Sequence, residues 1–301
     1  MKIVITGASG FLGRHICENQ VLLPHELVLV DRDRKPENMP VSCEKSRFVR
    51  MDLASAGSDA FARLGSPDLL IHLAWGELNN FQSPGHMTRE LPMHFTFLDQ
   101  MVRGGLRRMM VLGTCFEYGL QNGEMDENQL CHPATWYGLA KYTLLRQLEF
   151  LQKKHAFELV WPRLFYMYGE GQAANSIYPQ LMRAISANDT EFRMSAGEQI
   201  RDYLPVGELV DNLCRLALSP HSGVVNVCSG QPISLRRQVE NWIAEKESPI
   251  QLRLGHYPYR DYEPFAFWGS TRRLRKLLGD APANSPLDSE RERGGFPDSI
   301  L

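Results

Sequence analysis

The chain has 301 residues, a formal net charge of −2 and 43% hydrophobic residues. The near-neutral charge excludes the basic field with which proteins bind nucleic acid or anionic membranes, and the apolar content suffices for a full core. No apolar run reaches the ~20 residues of a membrane span, and we expect no signal peptide because the first residues already form a strand pattern. Six cysteines without a CxxC pair or metal-ligand spacing predict reduced thiols, a cytoplasmic location and no metal site.

A glycine-rich turn stands at the start of the chain. The β-branched run Lys2–Ile5 leads into Thr6–Gly13, and a helical pattern follows. In such a strand–turn–helix unit, Gly7 permits a tight turn, Gly10 lets the backbone approach a pyrophosphate, and Gly13 lets the helix pack close to the strand. The turn therefore predicts a dinucleotide site.

An acidic residue lies near the distance that a ribose-binding carboxylate requires. The second predicted strand, Leu27–Val30, ends at Asp31, 18 residues after Gly13. A carboxylate there accepts hydrogen bonds from the adenosine ribose and repels a 2′-phosphate, which favours NAD(H) as the cofactor. NADP(H) remains an alternative, because Arg32 and Arg34 follow closely and can bind a phosphate.

Strands and helices alternate along the chain. Further strands are predicted at 47–51, 68–74, 109–112, 158–161 and 224–227, and helices at 60–64, 90–103, 136–154 and 205–217. This order predicts an α/β fold with a doubly wound parallel Rossmann sheet that binds ligands at the carboxyl ends of its strands. The polar loop 119–133 is expected to lie over that site.

Two parts of the chain are expected to differ in role. Residues 1–165 and about 205–228 form the predicted dinucleotide-binding domain, because their strands and helices continue the alternation. Residues from about 166–204 and 229–301 then form a smaller, discontinuous substrate-binding lobe over the cleft.

A Tyr-x-x-x-Lys pair provides the candidate chemistry. Tyr137 and Lys141 lie on one face of a predicted helix, where an ammonium near the phenol would lower its pKa from ~10 toward neutrality. Such a phenol exchanges a proton with a carbinol or carbonyl oxygen while a hydride moves to or from a nicotinamide. Thr114 ends the preceding strand and can offer a second hydroxyl to the same oxygen.

Together with further motifs, these residues resemble a known family. Besides Thr6–Gly13, the matching stretches are Asp52-Leu53, His72-Leu73-Ala74, Thr114–Gly119, Pro133 with Tyr137–Lys141, Arg163–Gly169, Arg201–Tyr203 with Val206, and Asn226–Gly230. Through them the chain resembles an extended short-chain dehydrogenase/reductase of the NAD-dependent epimerase/dehydratase family, which contains UDP-galactose 4-epimerase. The resemblance covers nearly the whole chain.

The resemblance implies roles for individual residues. Thr114, Tyr137 and Lys141 would be catalytic. The implied cofactor contacts are Gly7, Ser9, Gly10, Phe11, Leu12, Gly13, Asp31, Arg32, Asp52, Leu53, Leu73, Ala74, Tyr137 and Lys141. The implied contacts of a nucleotide-linked sugar are Trp75, Tyr166, Arg201, Arg260 and Glu263. Trp75 would narrow the cleft beside the nicotinamide, and Tyr166 replaces the family's phosphate-binding Asn.

The resemblance leaves several functions open. Cys115 and Phe116 stand where 4,6-dehydratases carry an Asp-Glu pair, which disfavours a dehydratase. We favour NAD(P)-dependent reduction of a 4-keto-6-deoxy sugar nucleotide at C4, as in deoxysugar biosynthesis, because the chain is short and Trp75 crowds the space in which a sugar would rotate. A 4-epimerase with tightly bound NAD is the alternative. A catalytically silent dinucleotide-binding regulator is disfavoured, since all three catalytic residues are present.

Two further expectations concern packing. The family commonly forms homodimers, and the expected interface combines the apolar face of the 90–103 helix with a leucine row on the Tyr137 helix: Leu144, Leu145, Leu148 and Leu151. Glu117 is expected to have a structural role, because its side chain would cap the turn or point to another face than the catalytic hydroxyl.

Overall fold

Parallel strands form the centre of the protein, for which a computed structural model describes residues 1–32 and 46–279. Arg34 and the stretch 280–301 lie outside the described residues. The strands are β1 Lys2–Thr6, β2 Glu26–Asp31, β3 Arg47–Arg50, β4 Leu69–His72, β5 Arg108–Val111, β6 Gly113–Thr114, β7 Gly123–Met125, β8 Glu158–Leu164, β9 Tyr166–Tyr168, β10 Glu191–Arg193, β11 Ile200–Pro205, β12 Gly223–Val227, β13 Pro232–Ser234, β14 Gln251–Arg253 and β15 Phe267–Gly269.

Eight α-helices connect the described strands. They are α1 Phe11–Cys17, α2 Ala60–Arg63, α3 Leu91–Gly104, α4 Trp136–Gln152, α5 Ile177–Ser186, α6 Val206–Leu218, α7 Leu235–Glu245 and α8 Arg272–Leu278. Short 3₁₀ turns span Leu53–Ser55 and Cys115–Glu117, and a π-helical turn spans His86–Glu90. Within the described ranges no helix is both long and apolar enough to cross a membrane, and no three His, Cys, Asp or Glu side chains cluster as metal ligands do.

The large sheet has the strand order β3-β2-β1-β4-β5-β8-β12, and β6 also pairs with β8. All of its ladders are parallel. The order reverses between β1 and β4, so a crevice forms at the carboxyl ends of these two strands, where doubly wound sheets bind their ligands. The predicted α/β fold is therefore confirmed.

Helices cover both faces of the sheet. α1 and α6 pack on one face around Ile5 and Leu213, whereas α3 and α4 pack on the other around Phe97. The predicted leucine row, Leu144, Leu145, Leu148 and Leu151, is fully buried in this second layer. The prediction that these leucines form a dimer interface is therefore wrong. An apolar helix stripe shows that a face is buried, but not whether its own chain or a partner covers it.

A second, smaller core lies beyond the large sheet. Leu181, Phe192, Val239 and Trp242 form it, and the small sheets β9-β11-β13 and β10-β14 surround it. A substrate-binding lobe made of residues 166–204 and 229–301 requires a hydrophobic core of its own. The division of the chain into these two domains stays a prediction.

The loop 119–133 takes a different course from the predicted one. Its strand β7 pairs in parallel with β15, and the Asn226 side chain donates a hydrogen bond to the Met125 carbonyl at 2.8 Å. None of its residues lines the cleft described below. The prediction that this loop lies over the site is wrong, because polar composition indicates exposure without saying on which side of the molecule.

Two boundaries near the site also differ from the predicted ones, and one strand was not predicted. α3 begins at Leu91 after the π-helical turn, a local form that is frequent at functional sites. β8 continues to Leu164 and so carries Arg163 into the buried sheet. The motif Arg201–Tyr203 lies on β11, which the sequence pattern did not reveal, since short strands leave too few residues for a period to emerge.

Candidate active site

A cleft of about 1540 Å³ opens at the carboxyl ends of the central strands, between the large sheet and the smaller core. All of the predicted site residues line it: Gly7, Ser9, Gly10, Phe11, Leu12, Gly13, Asp31, Arg32, Asp52, Leu53, Leu73, Ala74, Trp75, Thr114, Tyr137, Lys141, Tyr166, Arg201, Arg260 and Glu263. The structure thus brings together residues from both ends of the chain in one concave site.

The glycine turn forms one wall of the cleft. Gly7 has φ +70°, and its N–H and that of Ala8 donate to the Val30 carbonyl. A Cβ at Gly10 would meet only the Gly7 carbonyl oxygen at 3.2 Å, so this residue leaves the cleft side open to a ligand. A Cβ at Gly13 would overlap the carbonyl oxygens of Gly7 and Ala8. Gly13 therefore lets α1 pack on the turn itself.

This packing gives a testable expectation for Gly13→Ala. The new methyl group collides with backbone rather than with a flexible side chain, so the turn must shift, at a cost of about 1–3 kcal/mol. We expect NADH binding, measured by fluorescence titration, to weaken at least tenfold. Gly207→Ala in the first turn of α6 is the matched control, because its Cβ meets no heavy atom within 4 Å. Wild-type NADH affinity in Gly13→Ala would contradict the assignment of the turn.

Asp31 closes the far end of this wall. Its carboxylate accepts hydrogen bonds from the Ser9 N–H at 3.2 Å, from the Ser9 hydroxyl, and from the Arg32 N–H at 2.7 Å. On the next strand connection, Asp52 caps the turn Leu53–Ser55 by accepting from the Ala54 N–H at 3.0 Å. The two acids thus stand at the carboxyl ends of adjacent strands.

Tyr137 stands in the first turn of α4. Thr135 caps this helix by accepting from the Gly138 N–H at 3.0 Å, and the Phe81 carbonyl accepts from the Tyr137 N–H at 3.1 Å. The side chains of Thr114 and Tyr137 both line the cleft, and the Thr114 side chain is near enough to the phenol to lower its pKa. The two residues, 23 positions apart in the chain, therefore share one wall of the cleft.

Lys141 lies one helical turn further and is buried. Its Nζ donates to the Leu112 carbonyl at 2.9 Å and lies 6.0 Å from the centroid of the Tyr137 ring. Burial lowers the pKa of Lys141 to about 7, against the neighbouring carboxylates Glu117 and Glu90, which raise it. The lysine is thus close to its own titration point at neutral pH.

The pKa of Tyr137 shifts in the direction opposite to the predicted one. Burial raises the pKa of Tyr137, and the nearby Thr114 side chain offsets only part of the rise. The expectation that Lys141 lowers it toward neutrality is wrong for this arrangement, because the ammonium bonds the Leu112 carbonyl instead of the phenol. Tyr137 is consequently protonated at neutral pH.

Glu117 holds the backbone of Thr114, the candidate catalytic residue. Its Oε1 accepts from the Thr114 N–H and from the Trp161 indole, both at 2.9 Å, and its Oε2 accepts from Arg163 Nε at 2.8 Å. Glu117 and Arg163 are almost completely buried. With the Thr114 side chain these bonds form a capping box, as the predicted structural role requires.

Four aromatic rings surround the Tyr137 ring. Phe81 stacks on it at 5.0 Å, His86 lies at 5.3 Å, and Phe116 and Trp75 present their edges at 6.2 Å. The sequence pattern did not indicate the positions of Phe81 and His86 beside Tyr137, because they lie in a loop and a π-helical turn without a regular period. Apolar residues within a segment of Gly, Pro and Asn are the only signal that could have found them.

A charged cluster occupies the opposite end of the cleft. Glu263 accepts from the Tyr166 hydroxyl at 2.8 Å and from Arg201 Nη2 at 2.9 Å with one oxygen, and from Arg260 Nη1 at 3.2 Å with the other. Arg201 also donates to the carbonyl of Phe265 at 3.1 Å. Arg260 is 62% exposed, so of the two guanidinium groups it has the greater freedom to reach a ligand.

Comparisons with known proteins identify the family of this chain. The family model described as the NAD dependent epimerase/dehydratase family matches residues 3–228. The chain belongs to this family. A relative in Aggregatibacter actinomycetemcomitans, dTDP-6-deoxy-L-talose 4-dehydrogenase (NAD(+)), is 30% identical over 90% of this chain and 100% of its own length.

Other relatives of this epimerase/dehydratase family member are more distant. The dTDP-4-dehydro-6-deoxyglucose reductase of Escherichia coli is 23% identical over 79% of each chain. Among solved structures, UDP-N-acetylglucosamine 4-epimerase from Methanobrevibacter ruminantium M1 superposes with a TM-score of 0.82 at 22% identity, covering 97% of this chain and 94% of that one. At this identity the structural likeness establishes the fold.

Proposed function

We propose that the protein is an oxidoreductase that reduces the C4 keto group of a 4-keto-6-deoxy sugar nucleotide with NADH. The observation that carries this proposal is that Thr114, Tyr137 and the buried Lys141 line the same cleft as the glycine turn. The names of two relatives support the substrate class, since one is a 4-dehydrogenase of a dTDP-6-deoxy sugar and the other a reductase of dTDP-4-dehydro-6-deoxyglucose. Oxidation and reduction at C4 are the two directions of one reaction.

The cofactor side of the cleft suits NAD(H). Gly7 and Gly10 form a cradle that a Cβ would partly fill, and the Asp31 carboxylate stands at the end of the second strand. A carboxylate at this place binds the ribose hydroxyls and repels a 2′-phosphate, which is why we favour NADH over NADPH. Arg32 lines the same wall and keeps NADPH as the alternative.

The residues around C4 would act in proton transfer and charge stabilisation. The bound cofactor supplies the hydride. Tyr137, which is protonated at neutral pH, donates its proton to the oxygen as it gains negative charge, and Thr114 donates a hydrogen bond to the same oxygen. Lys141 would hold the nicotinamide ribose and add positive charge near the phenol.

Apolar rings beside the phenol favour a 6-deoxy sugar. Trp75, Phe81 and Phe116 line the cleft next to Tyr137 and Thr114. A sugar with its C4 oxygen at Tyr137 would place the neighbouring C5 substituent among these rings. A methyl group there avoids the desolvation of a hydroxyl group, which costs ~1–3 kcal/mol when it finds no partner.

One assay tests the reaction and the cofactor together. Purified protein is mixed with 4-keto-6-deoxy sugar nucleotides of different bases, using NADH or NADPH, and the loss of absorbance of the reduced cofactor is followed. We expect stoichiometric oxidation of NADH and at least tenfold lower kcat/KM with NADPH. Interconversion of two C4-epimeric sugar nucleotides without added reduced cofactor would instead show a 4-epimerase. Cofactor binding without turnover of any sugar nucleotide would favour a regulator.

The remaining parts of the proposal concern the cellular location, the domains and the oligomeric state of the enzyme. Within residues 1–32 and 46–279 the cysteines are all free thiols, which supports a reducing, cytoplasmic environment: Cys17, Cys115, Cys131, Cys214 and Cys228. The division into a dinucleotide-binding domain and a substrate-binding lobe belongs to the same proposal, with the cleft between them. A homodimer stays a prediction, and its interface must lie elsewhere than the buried leucine row.

A further inference from the structure

The ammonium of Lys141 has an unusual environment for a buried charge. Its Nζ donates a hydrogen bond to the Leu112 backbone carbonyl at 2.9 Å. The same Nζ lies 3.9 Å from the centroid of the Trp75 ring. In the described part of the chain, no carboxylate lies within ion-pair distance of this Nζ. The indole face is therefore the second close neighbour that can stabilise the charge, through the negative potential of its π system.

Trp75 itself is held on two sides. Its Nε1 donates to His86 Nδ1 at 3.1 Å, and the second nitrogen of His86 lies 3.0 Å from the Asn80 carbonyl, to which it donates. On its other side Trp75 stacks on His94, with ring centroids 4.5 Å apart and planes only 9° from parallel. These contacts leave the indole little freedom to turn away from Lys141.

A chain of buried polar contacts fixes His94 in turn. His94 Nδ1 lies 2.9 Å from His72 Nε2, and His72 Nδ1 lies 2.8 Å from the Thr6 hydroxyl, in the last residue of β1. His94 Nε2 faces the Glu90 carboxylate at 3.4 Å. The contacts that hold the indole thus extend from the π-helical turn to β1, the central strand that precedes the glycine turn.

We infer that Trp75 is a positioning residue, which holds the Lys141 ammonium against its indole face and keeps it charged in the working enzyme. The catalytic meaning of this inference rests on the proposed function. The contact itself does not, because it joins two side chains of this protein. Trp75 would thus serve the lysine as well as limit the space for the sugar.

The charged and titratable groups around Lys141 make its protonation sensitive to the Trp75 ring. Glu90 and Glu117 raise the pKa of Lys141, while burial lowers it to about 7. Burial also lowers the pKa of His72 and of His94, with smaller contributions from Lys141, so both imidazoles are neutral at neutral pH. Near its midpoint, the lysine responds to a small gain or loss of stabilisation with a large change in its charged fraction.

The direct test follows the protonation of Lys141 by ¹⁵N NMR of lysine-labelled protein across a pH titration, with Lys141→Arg to assign the signal. We expect Trp75→Leu to move the midpoint about one pH unit lower, so that the lysine is mostly neutral at pH 7. The alkaline limb of kcat should move down by the same amount. Phe81→Leu is the control, because Phe81 stacks on Tyr137 and leaves Lys141 untouched.

A second set of variants separates the effect of the indole π face from an effect of lost packing. Fluorinated tryptophans introduced only at position 75 weaken the π face step by step while keeping the shape of the ring. The midpoint of Lys141 should fall with each added fluorine, and a midpoint that stays constant through the series would overturn the inference. If no sugar nucleotide is turned over but the midpoint moves as expected, the proposed function fails and the inference stands.

Discussion

Tyr137→Phe should lower kcat for the keto sugar by about 10²–10⁴-fold, because the phenylalanine ring keeps the packing but has no proton to donate. Four neighbouring rings pack around the Tyr137 ring, which the phenylalanine side chain retains, so this aromatic packing stays in place. The NADH dissociation constant should therefore change less than threefold. Steady-state kinetics and a fluorescence titration measure the two quantities on the same preparation.

Tyr142→Phe is the matched control for this experiment. Tyr142 lies on the same helix, but it packs with the apolar layer beneath α4 and does not line the cleft. Its loss of a hydroxyl should leave kcat within about twofold of the wild type. Full turnover in Tyr137→Phe would remove Tyr137 from the mechanism. A parallel collapse of NADH binding would mean that the hydroxyl has a structural role instead.

Glu117→Ala should lower the free energy of unfolding by about 3–5 kcal/mol, because it leaves the Arg163 guanidinium buried without its counter-charge. The same change removes the acceptor of the Trp161 indole and of the Thr114 N–H. Thr114 loses its capping box, so turnover should fall even at temperatures where the variant is folded. Urea unfolding followed by circular dichroism measures the first effect.

Glu149→Ala is the matched control, because it removes a glutamate from an Arg–Glu ion pair at the surface. Glu149 pairs with Arg146 on the exposed side of α4, where an ion pair contributes less than about 1 kcal/mol. A double variant, Glu117→Ala with Arg163→Met, should recover part of the lost stability, since it no longer buries an unpaired charge. If Glu117→Ala unfolds at the urea concentration of the wild type, the buried pair has no energetic role.

Local patterns in the sequence were sufficient for the fold and for most of the site. The glycine turn, Asp31, Thr114 and the pair Tyr137 and Lys141 were all predicted, and the structure places them in one cleft. The reason is geometric. Parallel strands connected by helices all end at the same edge of the sheet, so residues that follow these strands converge even when they are far apart in the chain.

The tertiary structure decided how these residues are partnered. Trp75 was predicted as a residue that limits the cleft, but its contacts with Lys141, His86 and His94 arise where a strand end, a π-helical turn and two helices meet. The leucine row of α4 was predicted to pair across a dimer, but the chain's own α3 and sheet bury it. A periodic pattern records that a side chain is buried, whereas the identity of what buries it depends on contacts across the chain.

The sequence was likewise insufficient to predict the protonation of the site residues. The sequence indicated an ammonium next to a phenol, and the folded protein instead turns Lys141 toward the Leu112 carbonyl and raises the pKa of Tyr137. At the other end of the cleft, Glu263 was predicted as a ligand contact, and it is bonded to Arg201 and Tyr166 from 62 and 97 positions away. Residue type and spacing determine which groups can ionise. Burial and the partners set by the fold determine at which pH they do so, because the cost of a charge depends on the groups and solvent around it.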